Sequence, residues 1–242
     1  MGLATAIANL GGLSAALPAI PVTNLLGAWE ATATGTAGAG GTLSLNDLSG
    51  NGHPLASTSG ANPIVLTASD SKCGGSPTVA STVAAAGASA TLAAYSTPVT
   101  AYVVGYTTAT NGDIFQLGVT IVRLFVQLSG SAETWIFRVP NSSNQISDAH
   151  GANTTASVVC CTIPVTAGTF NSYVGQSTPA TATGTAGTIP TGQTLVQICA
   201  AGGNAGGSIF GLYLYSGADS QATRFASMNV FAQRANLAPI LT

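Results

Sequence analysis

Two glutamates, two histidines and four cysteines are the first side chains to weigh for chemistry, and their spacing limits what they can do. Hydrolysis of a glycosidic bond takes two carboxylates flanking that bond. Glu30 and Glu133 fall in separate strand-like stretches, with no acidic motif around either. Glu133, Trp135 and Arg138 lie close together, but strand alternation puts Glu133 and Trp135 on one face and Arg138 on the other. An isolated strand charge of this kind reads as edge protection. A Ser-His-Asp system needs a nucleophile on a strained turn and a positioned imidazole. His53 follows a Ser-Gly-Asn-Gly turn, His150 reads as part of a Gly/Asn loop, and neither neighbourhood supplies a G-x-S-x-G.

Cys73, Cys160, Cys161 and Cys199 match no metal-site spacing. They admit two disulfides, but read as small buried thiols, with Cys160 and Cys161 pointing to opposite strand faces. No glycine-rich segment ends in the Gly-Lys-Ser/Thr of a phosphate loop. This inventory predicts no enzyme, no metal and no cofactor. Binding of a neutral ligand asks less. Trp135 and Tyr173 are candidate aromatic platforms for a glycan, whereas Tyr213 and Tyr215 share a strand face and read as core.

The elements that would position these residues are β. Hydrophobic residues make up 46% of the 242 residues, enough for a core, yet only 5% are charged, against roughly 25% in ordinary soluble domains. Seven acids and five bases leave a net charge of −2, which supplies no electrostatic footprint for nucleic acid or an anionic membrane. The apolar runs at 158–163 and 209–215 fall far short of the ~20 residues that span a bilayer. No Lys or Arg precedes Lys72, so the apolar start is not read as a cleaved signal. Stretches at 24–30, 98–106, 120–128, 133–139, 155–163, 170–174, 193–200 and 208–215 are short, β-branched or aromatic, and bounded by Gly, Pro, Asn or Ser. They predict an all-β antiparallel sandwich.

Two helices flank it. Leu3, Ile7, Leu10 and Leu13 share one helical face in residues 2–16, ended by Pro18 and Pro21; residues 1–23 form an arm that could grip a partner. Near the other end, Asp219 is the expected cap of a helix with Phe225, Met228, Ala232 and Ala235 on one face and Asn236 as its stop. The heptapeptide Thr-Ala-Thr-Gly-Thr-Ala-Gly occurs at 32–38 and again at 181–187 and reads as loop.

Residues 46–53, Asn-Asp-Leu-Ser-Gly-Asn-Gly-His, follow Trp29 after a variable loop. This resembles the opening of laminin-G-like, concanavalin A-like jelly-roll domains, with Asp47, Ser49, Gly50, Asn51 and Gly52 in the places of their SGNG turn. The turn has its own account: Asp and Asn satisfy local backbone donors, and the glycines permit positive φ. Residues 74–79 and 93–103 are similar to the strands that follow in that family, and 207–215 with the helix through Leu237 to its ending. The resemblance covers roughly residues 24–238, so 24–242 is expected to be one jelly-roll sandwich. Two departures stand out: Gly211, Leu212 and Tyr213 replace the acidic residue usual in the final strand, and no E-x-D-x-x-E of the related glucanases is present.

The resemblance implies a binding or structural habit. Domains of this kind are common in phage structural proteins, and a surface of small neutral residues packs against neighbours at little desolvation cost. The expectation is a virion protein, a capsid decoration (cement) or tail-associated subunit, homo-oligomeric and bound to other virion proteins. The alternative is a carbohydrate-binding module or adhesin on a phage fibre or cell surface.

Overall fold

The segment Val-Thr-Ala-Tyr-Val-Val-Gly-Tyr-Thr is the centre of the molecule. Its β-branched and aromatic residues favour pleated backbone, and as β8 (Val99–Thr107) all nine are buried. Val99, Ala101 and Val103 face the space between two sheets, while Tyr102, Val104 and Tyr106 face a second apolar layer on the other side. The computed structural model describes residues 16–240 apart from 33–36, 39–41, 58–63, 82–86, 96–97, 108–109, 119–121, 130–131, 139–144, 153–154, 164–167, 176–179, 185–191 and 200–206.

The first sheet runs, in order, β15 (Ala180–Gly184), β14 (Gly168–Val174), β13 (Ser157–Ile163), β8, β17 (Gly207–Ser216), β6 (Thr78–Ser81) and β5 (Ile64–Thr67). β1 (Leu25–Glu30) joins it alongside β17. The second runs β12 (Gln145–Ala152), β11 (Ala132–Arg138), β10 (Val122–Ser129), β9 (Asn111–Leu117), β16 (Gln193–Ile198), β7 (Ala88–Tyr95), β4 (Leu55–Ser57), β3 (Thr42–Leu45) and β2 (Ala37–Gly38). All pairings are antiparallel, and the main core, with Trp29, Phe115, Trp135 and Phe137, lies between the sheets. This is the all-β sandwich with one C-terminal helix.

The outer face of the first sheet is covered. Helix α1 (Gln221–Arg234) lays Met228, Phe231 and Ala232 on Tyr102, Tyr213 and Tyr215. Phe231, absent from the expected helix face, is the main anchor: it is fully buried and stacks at 3.8 Å on Tyr213. The expected cap is corrected too. Ser220 caps the helix through Thr223 N–H, while Asp219 accepts the Tyr102 hydroxyl instead. Asn236 takes a positive φ of 54° and lets Leu237 N–H close on the Ala232 carbonyl at 2.8 Å, a helix-ending geometry.

Residues 16–23 do not stand away from the sandwich. The Pro21 carbonyl accepts the Tyr215 hydroxyl at 3.0 Å, and Pro18 O accepts from Arg234. Leu3, Ile7, Leu10 and Leu13 lie outside the described residues. All four cysteines are buried and unpaired. Cys73 and Cys160 belong to the outer layer, Cys161 and Cys199 to the inner core. Burial pushes the Cys73 and Cys199 thiols up to about 12.

Two loop expectations are overturned. His150 lies within β12, and both copies of the repeated heptapeptide enter strands, residues 37–38 in β2 and 181–184 in β15. All three strands are terminal in their sheets. A terminal strand pairs through backbone on one side only, so small or polar residues suffice.

Candidate functional site

Asp47 gathers the loop after β1. Its Oδ1 accepts from Ala28 N–H at 3.2 Å and Ser49 N–H at 2.9 Å, and its Oδ2 from His53 N–H at 3.1 Å. Burial alone would raise its pKa, but the bonds from Ser49, His53 and Ala28 together hold it below the ordinary value. Asn51 Nδ2 donates to the carbonyls of Leu25 and Leu26, and Ser49 Oγ accepts from Asn51 N–H. Gly50 and Gly52, at φ 83° and 79°, supply the left-handed backbone, and Trp29 Nε1 donates to His53 O at 2.7 Å. The turn is thereby pinned to β1, and its carboxylate is engaged inward.

The two expected glycan platforms are not available. Trp135 is 1% exposed in the inter-sheet core, and Tyr173 is 4% exposed beneath the Arg224 guanidinium, 3.8 Å from the ring centre. Alternation in a strand separates two faces but does not say which one a second layer will cover.

Glu133 is also corrected. β11 is an interior strand, and Glu133 points between the sheets at 1% exposure rather than guarding an edge. Its Oε1 accepts from Thr107 N–H at 3.3 Å, while Oε2, together with Trp135 Nε1 and Ser157 Oγ, is buried with no hydrogen-bond partner among the described residues. Burial drives the Glu133 pKa up, against the pull of Thr107 N–H and Lys72.

Glu30 lies on the other side of the first sheet. Arg234 grips it with both prongs, Nε to Oε1 at 2.5 Å and Nη2 to Oε2 at 2.7 Å, and the Tyr213 hydroxyl donates to Oε1 at 2.5 Å. Gly211 makes this possible, because a Cβ there would sit 2.7 Å from the Tyr213 oxygen. The pair lines a cleft of about 670 Å³ bounded by Pro18, Thr32, Ser76 and Gln233. With the two glutamates on opposite sides of one sheet, they cannot flank a common bond. Among the described residues, no group of three His, Cys, Asp or Glu could hold a metal.

The outer face of the second sheet is different in kind. Directly paired residues on neighbouring antiparallel strands share a face, and the register links one row across eight strands: Ser44, Ala56, Ser89, Gln197, Gln116, Arg123, Arg138 and Gln145. The neighbouring row, with Ala88, Ile198, Phe115, Leu124, Phe137 and Ile146, faces the core. The row is exposed at Ser44, Ala56 and Gln145, half-buried at Ser89, Gln197 and Arg138, and buried at Gln116, which is 4% exposed. Arg138 Nε donates to Gln145 Oε1 at 3.0 Å, and Gln116 Nε2 donates to Gly118 O at 2.9 Å and reaches Gln197 Oε1 at 3.5 Å. Sequence reasoning missed this row because its members come from eight separate strands.

No protein-family model and no curated protein matches this chain. Solved structures do share its fold. The receptor-binding domain of botulinum neurotoxin C/D mosaic serotype superposes with a TM-score of 0.57 at 9% identity, over 87% of this chain and 51% of that one. Trypanosoma rangeli sialidase, in complex with a difluorinated KDN, gives 0.58 at 11% identity, over 90% and 34%. The binding domain of botulinum neurotoxin DC in complex with SialylT gives 0.55 at 8% identity, over 85% and 51%. This chain thus spans about half the length of the toxin domains and a third of the sialidase. The likeness shows a lectin-like β-sandwich fold.

Proposed function

We propose that this sandwich is a non-catalytic saccharide-binding module, with the ligand laid across the outer row of the second sheet. The observation that carries the reading is the set of hydrogen-bonding side chains that the register aligns on one face at Ser89, Gln197, Arg138 and Gln145, with the buried Gln116 reaching Gln197 from within the row. Sugar hydroxyls are recognised by fixed donors and acceptors, and a rigid strand row presents them at regular intervals. That sialidase and toxin binding domains share the fold supports the reading by analogy. The test is titration of the full chain against an immobilised glycan panel. Binding without release of shorter saccharides is expected, with Gln145→Ala plus Gln197→Ala weakening it at least about fivefold. Failure of every glycan to bind would overturn the reading.

A second reading, a decoration or tail-associated virion subunit, is favoured by where the charges go. Of seven acids, Glu30, Asp70, Asp113 and Glu133 are buried, so the surface is even poorer in charge than the sequence. Such a surface meets protein neighbours with little desolvation. A chain lacking residues 1–15 keeps the Pro18 and Pro21 contacts, and on this reading it stays folded but no longer co-sediments with particles. Undiminished co-sedimentation would count against the arm as the tether.

A further inference from the structure

We infer that residues 16–22 form an exchangeable strap, seated on the outer layer of their own copy and able to take the same seat on a second copy in a reciprocal dimer. The strap reads Ala-Leu-Pro-Ala-Ile-Pro-Val. Proline fixes its own φ and holds the preceding residue extended, so residues 17–21 are stiff before they dock. The two prolines stand three residues apart, the period of a polyproline II helix, which turns their carbonyls to one side. Both carbonyls are used. Pro18 O accepts from Arg234 Nη1, and Pro21 O accepts from the Tyr215 hydroxyl at 3.0 Å.

The seat does not depend on the strap. Arg234 is fixed by its two bonds to Glu30, and the Tyr215 ring packs edge-on against Tyr102 at 5.7 Å. The strap is held far more lightly. Ile20 packs on the outer layer, but none of residues 16–24 is buried, and Leu17 and Val22 are 58% and 74% exposed. A single turn directs the strap back onto its own copy. Leu25 N–H closes it on Val22 O at 3.2 Å, with Asn24 at a φ of 61°, and a positive φ at the third place of a turn favours Gly or Asn.

A foreign segment would have to displace an occupant tethered at an effective concentration of about millimolar. A second copy faces no such contest. In a reciprocal exchange each copy gives one strap and receives one, so every bond lost is remade and the turn at Asn24 is opened. Exchange therefore sets in as the protein nears that effective concentration, and any assembly that holds copies side by side favours it.

Sedimentation equilibrium of the full chain from ~0.01 mM to ~1 mM tests this. The wild type is expected to gain dimer towards the upper end. Asn24→Pro cannot adopt the positive φ, and its dimer should persist to a concentration at least about tenfold lower, because the tethered competitor is lost. Asn24→Gly keeps the turn at less cost and should dimerise no more readily than the wild type. Tyr215→Phe added to Asn24→Pro keeps the ring and removes the bond to Pro21, which should weaken the dimer at least about fivefold. Tryptophan-fluorescence unfolding checks that each variant keeps its sandwich. A wild type that gains no dimer, or an Asn24→Pro chain that folds and stays monomeric, would overturn the exchange. So would a dimer that Tyr215→Phe leaves unchanged, because it would associate through another surface. An unrelated proline-rich peptide that dissolves the dimer as well as a peptide of residues 16–23 would also overturn it, as a seat for foreign segments.

Discussion

Replacing Arg234 with alanine is expected to cost about 3–5 kcal/mol of folding stability, the range for leaving one partner of a buried ion pair alone. Glu30 is 6% exposed, and the Arg234 side chain 11%. Without the guanidinium, the Glu30 carboxylate keeps the Tyr213 hydroxyl as its bonded side chain beneath α1. The last turn of the helix also loses its ties to β1 and to Pro18. The bond to Glu30 holds the Arg234 pKa above its ordinary value, so the loss should be present across the neutral range. Urea unfolding followed by tryptophan fluorescence reads it. Glu30→Gln combined with Arg234→Met should recover most of the loss, because a neutral pair needs no charged partner. A deficit below about 1 kcal/mol in Arg234→Ala would mean that the pair is solvated in solution.

Glu133 sets the second expectation. Its native pKa is raised by burial, so the folded state holds its proton more tightly than the unfolded state does. The stabilisation is fully present below the ordinary glutamate value of about 4.3 and is lost as pH rises through the raised native pKa. Glu133→Gln removes the ionisation and keeps the shape. The variant should therefore match the wild type in acid and exceed it at neutral pH, by about 1–3 kcal/mol for a buried group with an unmet polar atom. Unfolding midpoints from pH 4 to 8 check the sign. A variant less stable than wild type at pH 7.5 would show that the charged carboxylate is satisfied.

The parts of the fold legible in the sequence were those in which side chains, rather than partners, decide the conformation. β8, β13 and β17 are rich in Val, Ile and aromatic residues, and such segments favour pleated backbone wherever they are placed. The stretches that became β7, β9, β12 and β15 are dominated by Ala, Gly, Thr and polar residues. They are strands because neighbours pair with them. Glu133 was misplaced for a related reason: being on an edge is a property of sheet order, which one strand does not contain. Trp135 and Tyr173 sit on strands as expected, but the layers above and below them come from distant sequence. The polar row depends on register across eight strands, and a one-residue slip in any of them would send that residue to the other face.

Cys160 and Cys161 are neighbours in the chain and strangers in the fold, one under the outer layer with Tyr102 and Phe231, the other between the sheets. A thiol reagent that reached Cys160 alone would report that the helix had lifted from an intact sandwich. One that reached Cys161 would report that the two sheets had parted. β13 therefore carries two adjacent witnesses to two different openings, and the order in which they are modified is the order in which the molecule comes apart.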